Sequence, residues 1–152
     1  MDAPDHLATG ERDEYADFVQ RFDAYWRQGR AALNEILSLL GPDIRLSAPG
    51  LRSTQGWEAA RRAFEKTFQV FPDLTAQVHG WASRDNQLFI EMTFTATIGG
   101  RQTSWRNVDR FTFRQGVTVE RVAYFDRTRL LRAFLASPRG WLHLRKSRRV
   151  GL

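Results

Sequence analysis

The amino-acid sequence predicts an α+β domain, with helices laid into the concave side of a curved antiparallel sheet. Three observations carry that expectation. Apolar residues recur at helical spacing up to Phe71 and at strand spacing from Leu74 onward. Four alternating runs after Leu74 are separated by turn-forming segments, Asp85-Asn86-Gln87, Gly99-Gly100 and Arg114-Gln115-Gly116. Pairing the runs about those turns puts their apolar positions on one face, and a sheet with one apolar face needs helices to cover it.

Residues 1–10 are polar, hold Pro4 and Gly10, and are expected to form a flexible N-terminus. Tyr15, Phe18, Val19, Phe22, Tyr25 and Trp26 share one face of a first helix, with Glu11, Asp13 and Glu14 in the turn where the helix dipole favours acids. Gly29 ends or bends that helix. A short second helix carries Leu33, Ile36, Leu37 and Leu40 and stops at Gly41-Pro42. Residues 43–48 read as a short strand, and Pro49-Gly50 opens a loop to Gly56. The third helix places Trp57, Ala60, Phe64, Phe68 and Phe71 on one stripe and ends before Pro72. A short C-terminal helix over residues 127–136 follows the sheet, with Asp126 as its N-cap.

The turns fix registers. Gly99-Gly100 as a two-residue hairpin turn pairs Ile90 with Asp109, Met92 with Asn107 and Phe94 with Trp105. A three-residue loop at 114–116 pairs Asp109 with Arg121, Phe111 with Val119 and Trp105 with Phe125. A two-residue turn there would set Phe111 against Glu120, so the hydrophobic pattern selects the longer loop. A three-residue loop at 85–87 pairs Ala82 with Ile90, Gly80 with Met92 and Val78 with Phe94. The opposite face carries Glu91, Thr93, Thr95, Arg106, Arg110 and Thr112.

On the inner face, Asn107, Asp109 and Arg121 form a polar island. A lone carboxylate there would be very costly, and Arg121 is its evident partner. At about 4 Å and an effective dielectric near 20 their attraction is about 4 kcal/mol, comparable to the desolvation cost of an ion. The pair thus adds little as scaffolding, whereas polar groups converging in an apolar hollow are the usual form of a small-molecule site. A purely structural ion pair closing one end of the hollow is the alternative. The small inward residues Ala76, Gly80, Ala82, Ala96 and Ala123 favour the hollow, with Trp26, Trp57 and Trp105 as core or wall.

Composition narrows the field. The 152 residues are 42% hydrophobic, 12% aromatic and 26% charged, which excludes disorder and suits one domain over residues 11–136. No cysteine is present, so disulfides, thiolate zinc sites and a cysteine nucleophile are excluded. His6, His79 and His143 have no ligand spacing, and no serine elbow or phosphate-cradling glycine loop occurs, so no metal or cofactor is expected. The apolar runs are too short to span a membrane and the N-terminus lacks a signal-peptide pattern, which predicts a cytoplasmic protein. Of the formal net charge of +6, five charges sit in residues 139–152 (Arg139, Arg145, Lys146, Arg148 and Arg149), leaving a nearly neutral body. The basic tail, 137–152, reads as a contact for nucleic acid or anionic lipid, as a solvated extension, or as a strap onto a neighbouring subunit through Trp141, Leu142 and Leu144. A body without a basic stripe argues against nucleic acid.

The order helix–helix–strand–helix–four-stranded meander–helix resembles the nuclear transport factor 2-like superfamily, and most closely its SnoaL-like branch. The residues that carry the resemblance are Tyr15, Phe18 and Phe22, then Gly56-Trp57-Glu58-Ala59-Ala60 leading to Phe71-Pro72-Asp73. Val108-Asp109-Arg110-Phe111, Val122-Ala123-Tyr124-Phe125-Asp126 and Leu130-Leu131 complete it. It covers about residues 11–136 and implies a cone-shaped barrel of curved sheet wrapped on three N-terminal helices, a ligand pocket, and frequently a homodimer through the outer sheet face. The ketosteroid isomerases of this superfamily place a base near Ser47, a tyrosine at Phe22 and a second acid at Asp109. Only the last is present here. The catalytic aspartate of SnoaL-type cyclases corresponds to Ala123. Limonene-epoxide-hydrolase-like members add an arginine–aspartate pair where Met92 and Phe94 stand.

The expected function is a pocket that binds a small apolar or aromatic molecule. Phe22, Trp26, Ser47, Trp57, Phe64, Phe68, Ile90, Met92, Phe94, Trp105, Ala123 and Phe125 are its candidate ligand-binding residues. If the protein is an enzyme, Asp109 is the acid–base or anchoring group of an isomerase, cyclase or dehydratase, held by Arg121 and Asn107. Non-catalytic binding, as a carrier or dimeric accessory protein, is the alternative.

Overall fold

The computed structural model describes residues 9–48 and 52–149, with side chains for 14–48 and 52–146. The expected flexible terminus over residues 1–8, including His6, and the loop opening at Pro49-Gly50 lie outside the described residues. Helix α1 (Thr9–Gln28) leads through a 3-10 turn (Gly29–Ala32) into α2 (Leu33–Ser38). Strands β1 (Arg45–Ser47) and β2 (Thr54–Gln55) precede α3 (Trp57–Val70). The meander follows as β3 (Thr75–Arg84), β4 (Gln87–Ile98), β5 (Arg101–Arg114) and β6 (Val117–Phe125), and the chain ends in α4 (Arg127–Leu135) and α5 (Pro138–Arg149).

The six strands form one curved, open sheet in the order β2-β1-β6-β5-β4-β3, so the α+β cone expected from the sequence is the fold observed. The sheet is mixed rather than wholly antiparallel. β1 runs parallel to β6, with Leu46 beside Arg121, and the two-residue β2 on its far side has too little pattern to be read from sequence.

Of the three hairpin registers, the β4–β5 register is as expected: Ile90 faces Asp109, Met92 faces Asn107 and Phe94 faces Trp105. The other two are corrected. Gln115-Gly116 forms a two-residue turn, with φ of +51° and +75°, and Arg114 pairs with Val117. Two positive-φ residues give the turn whose twist matches the flanking strands. The misalignment that had argued against it is absorbed by a bulge at Val119, between the pairs Phe113–Thr118 and Thr112–Glu120. Asp109 therefore lies opposite Ala123, Phe111 opposite Arg121 and Asn107 opposite Phe125. From Glu120 onward the shift is an even number of residues, so those side chains keep their expected face, whereas Val117 and Thr118, between turn and bulge, exchange faces and leave Thr118 buried and Val117 exposed. On the other flank, Asp85-Asn86 is a two-residue turn and His79 is bulged between Val78–Met92 and Gly80–Glu91. Gly80 and Ala82 thereby move to the outer face, opposite Glu91 and Phe89, and Trp81 rather than Ala82 faces Ile90.

The helices bury their stripes on this face. Phe22, Trp26, Phe68 and Phe111 are almost wholly buried, with Phe18 edge-on to Phe111 at 5.2 Å and Trp26 edge-on to Phe94 at 5.1 Å. Three polar ties set the helices' positions. Thr118 Oγ1 donates to the Leu39 carbonyl and accepts from the Gly41 N–H, fixing the end of α2 to β6. Asp23 on α1 accepts the Val78 N–H beside the His79 bulge at 2.9 Å. Trp57 Nε1 donates to the Leu37 carbonyl at 3.2 Å, holding the start of α3 against α2. Gly29, at φ +58°, lets α1 end against the Leu74 carbonyl, where a Cβ would collide.

Asp126 caps α4 through the Thr128 N–H, as expected. Most of the basic C-terminal segment is helix. Ser137 Oγ accepts the Gly140 N–H at its start, and Gly99, at the tip of the β4–β5 hairpin, approaches Ser137 and Gly140 so closely that a Cβ there would meet both.

Candidate ligand cavity

Five elements of the cone converge on one cavity. α1 contributes Trp26, α3 contributes Phe64 and Thr67, β4 and β5 contribute Phe94, Trp105 and Asn107, and β6 contributes Arg121, Ala123 and Phe125. Phe71 and Leu74 follow α3, and α4 and α5 close the top with Leu130, Leu131, Phe134 and Leu144, beside Arg127. Together they enclose a cavity of about 260 Å³ with predominantly apolar walls. Phe94 and Trp105 stack with ring centroids 5.7 Å apart, and Trp105 continues to Phe71 at 6.0 Å. A smaller cavity of about 130 Å³ lies on the other side of Phe64, Thr67, Arg121 and Ala123 and is lined by Ser47 and Arg52.

The polar island exists, with Asp109 one layer deeper than the cavity wall. Arg121 Nε and Nη2 donate to Asp109 Oδ2 at 2.7 and 2.6 Å, and Asn107 Nδ2 donates to Asp109 Oδ1 at 2.8 Å. Asp109 is 0% exposed and does not line the cavity, whereas Asn107 and Arg121 do. The guanidinium grips Asp109 along one edge and leaves Nη1 on the other. Its carbon sits 5.2–5.9 Å from the ring centres of Phe64, Trp26 and Phe111. Desolvated cation–π contacts of this kind are worth up to about 2 kcal/mol each and help the charge tolerate burial.

Two buried polar atoms of side chains lining the cavity of about 260 Å³ have no hydrogen-bond partner among the described residues: Trp26 Nε1 and Asn107 Oδ1. The amide orientation follows from chemistry, because a carboxylate oxygen must face the amide NH₂, which turns Oδ1 away from Asp109. An unpaired buried polar group costs about 1–3 kcal/mol. Two of them beside one cavity, a donor and an acceptor, are a feature that a ligand would satisfy.

Of the twelve candidate ligand-binding residues, Trp26, Phe64, Phe94, Trp105, Ala123 and Phe125 line this cavity. Ser47 lines the smaller one, its hydroxyl 3.1 Å from that of Ser53. Phe22, Phe68, Ile90 and Met92 are packed in the core, and Trp57 is spent on the α2–α3 junction. Sequence reasoning missed the roof. Leu130, Leu131 and Phe134 follow helical spacing on α4, but nothing in one sequence shows which face of a short terminal helix turns inward.

The fold is thus an α+β cone of curved sheet, with α4 and α5 over an apolar cavity that a buried arginine borders. The SnoaL-like domain family matches residues 18–121, and the chain belongs to that family. Solved structures share the fold at low identity. One is a protein from Jannaschia sp. CCS1 described as a SnoaL-like polyketide cyclase (TM-score 0.72, 18% identity, 83% of this chain and 94% of that one). Another is AclR from Streptomyces galilaeus, described as a hydroxylase (0.68, 22%, 84% and 98%). A third is an epoxide hydrolase of M. tuberculosis described as limonene-epoxide-hydrolase-like (0.66, 17%, 87% and 95%). Among curated proteins the chain has no match.

Proposed function

We propose that this protein binds a small apolar or aromatic molecule in the cavity beneath α4 and α5. An oxygen of that molecule is received by the Trp26 indole N–H and the Arg121 guanidinium, and a neighbouring hydroxyl or N–H of the ligand is received by Asn107 Oδ1. The observation that carries the reading is the unpaired state of Trp26 Nε1 and Asn107 Oδ1 at the edge of an otherwise apolar hollow. Asp109 acts as a positioning residue: with both oxygens engaged and no exposed surface, it orients Arg121 and Asn107 and does not reach the ligand. No carboxylate or imidazole is among the described residues that line the cavity. General acid–base catalysis needs such a group within hydrogen-bond reach, so binding is better supported than isomerase, cyclase or dehydratase turnover. The names of the structural relatives point to oxygenated hydrocarbons as the ligand class.

The test is a binding series with aromatic ketones and their deoxygenated analogues, read by calorimetry. The ketones should bind about tenfold more tightly, the worth of one hydrogen bond, and Trp26→Phe should erase that preference while retaining the hydrocarbons. Equal affinity for both series in the unmodified protein defeats the polar half of the reading. Steady conversion of a ligand by the unmodified protein, abolished in Asp109→Asn, would restore the catalytic alternative. A homodimer through the outer sheet face, where Tyr124 is 45% exposed, is the partner we infer, and sedimentation of Tyr124→Arg against the unmodified chain tests it.

A further inference from the structure

The two helices that roof the cavity carry a second, outward-facing character. Of the 23 basic and 17 acidic side chains, eight basic and one acidic lie in residues 126–152, leaving 15 and 16 in the preceding 125 residues. The charge of the molecule is therefore concentrated in α4, α5 and their flanks. Large exposed apolar side chains that do not line the cavity gather on the same segment: Leu135, Trp141 and Leu142, the last two 60% and 66% exposed. On α5, Gly140, His143 and Leu144 turn inward. Gly140 lies against α4, His143 against Phe71 and Phe134, and Leu144 against the cavity. Trp141 and Leu142 point away from them, one turn before exposed Arg145 and Lys146.

We propose that α4 and α5 form a docking surface for an anionic lipid bilayer, with Trp141 and Leu142 entering the headgroup–acyl boundary and the surrounding arginines meeting lipid phosphates. An exposed tryptophan and leucine flanked by cations is the composition of an interfacial helix, and cations alone would not call for the apolar pair. A second copy of this chain is a poorer occupant, because its remaining 125 residues carry 16 acids against 15 bases, an excess of one acid that cannot match eight bases. Nucleic acid is disfavoured by the exposed leucines, which have no phosphate to meet. The proposal stands independently of what the cavity binds. It gives the roof two sides, one facing the hollow and one facing lipid.

The experiment is co-sedimentation of the full chain with vesicles of phosphatidylcholine, with and without phosphatidylglycerol, at low and high salt. Binding should require phosphatidylglycerol and weaken as salt rises. Arg145→Glu with Lys146→Glu should lower it at least about fivefold per charge removed, and Trp141→Ala with Leu142→Ala should reduce it comparably at low salt. All four positions are exposed, and an unchanged far-ultraviolet circular dichroism spectrum shows that the variants remain folded. No binding, equal binding to neutral vesicles, or tighter binding to duplex DNA than to the anionic vesicles at the same salt would overturn the proposal. So would variants that bind vesicles normally but lose a dimer, which would make the surface an interface between copies.

Discussion

Asp109 holds the polar end of the cavity together from behind it. Its carboxylate accepts from Arg121 and Asn107 within about 2.8 Å and has no exposed surface. Truncating it should therefore strand a buried guanidinium: Asp109→Ala is expected to cost about 3–5 kcal/mol of stability by urea denaturation. Replacing both partners, as Asp109→Leu with Arg121→Met, should recover most of that loss while abolishing preference for oxygen-bearing ligands. A single-variant cost below about 1 kcal/mol would mean that the pair is not buried as described. Asp73 offers a pH-dependent check. Burial alone would raise its carboxyl, but hydrogen bonds from Thr97, with His143 nearby, hold it below the ordinary value of 3.8. A depressed carboxylate stabilises the fold above its unfolded value and loses that effect as pH falls through its folded value. The stability gap between the unmodified chain and Asp73→Ala should be constant near neutrality and close below pH 3.8. A gap that widened in acid would contradict the Thr97 contacts.

Among the elements, α1, α2, α3 and the β4–β5 hairpin were legible because each is written in a local code: apolar spacing, a cap, or a Gly-Gly turn. The two shifted registers were not, and the reason is the same in both. A two-residue turn with positive φ suits strand twist better than a longer loop, and the odd residue it leaves is expelled as a bulge at His79 or Val119. Bulges have no signature in a single sequence, since any residue can occupy one. The contact between Asp109 and Arg121 survived this shift because long side chains reach a diagonal neighbour as readily as a facing one. Two substitutions test the backbone argument. Gln115→Asn, at φ +51°, should stabilise by roughly 0.5 kcal/mol, since asparagine tolerates the left-handed region better. Gly29→Ala should destabilise by about 3 kcal/mol through both its positive φ and the Leu74 carbonyl it would strike. Thermal unfolding reads both.

For the whole molecule, the sequence carried the cone and the polar island, while the cavity's lid was hidden. The island was visible because a charged pair on an apolar face breaks the alternation. The lid was not, because α5 has a net basic composition that reads as a solvated tail until His143 and Leu144 are seen packed inward. Removing residues 137–152 should uncover Phe71 and Phe134 without dismantling the sheet. The truncated chain is expected to bind a hydrophobic dye such as anilinonaphthalene sulfonate more strongly, at nearly unchanged strand content.

The placement of the tryptophans gives the molecule two built-in optical reporters. Trp26 and Trp105 emit from dry surroundings on the wall of the hollow, while Trp141 emits from water on the outer side of its roof. Filling the hollow should quench the blue component, whereas insertion of the roof into lipid should shift the red component toward shorter wavelength. With Trp57 and the exposed Trp81 replaced by phenylalanine, a single emission spectrum can therefore distinguish the two events.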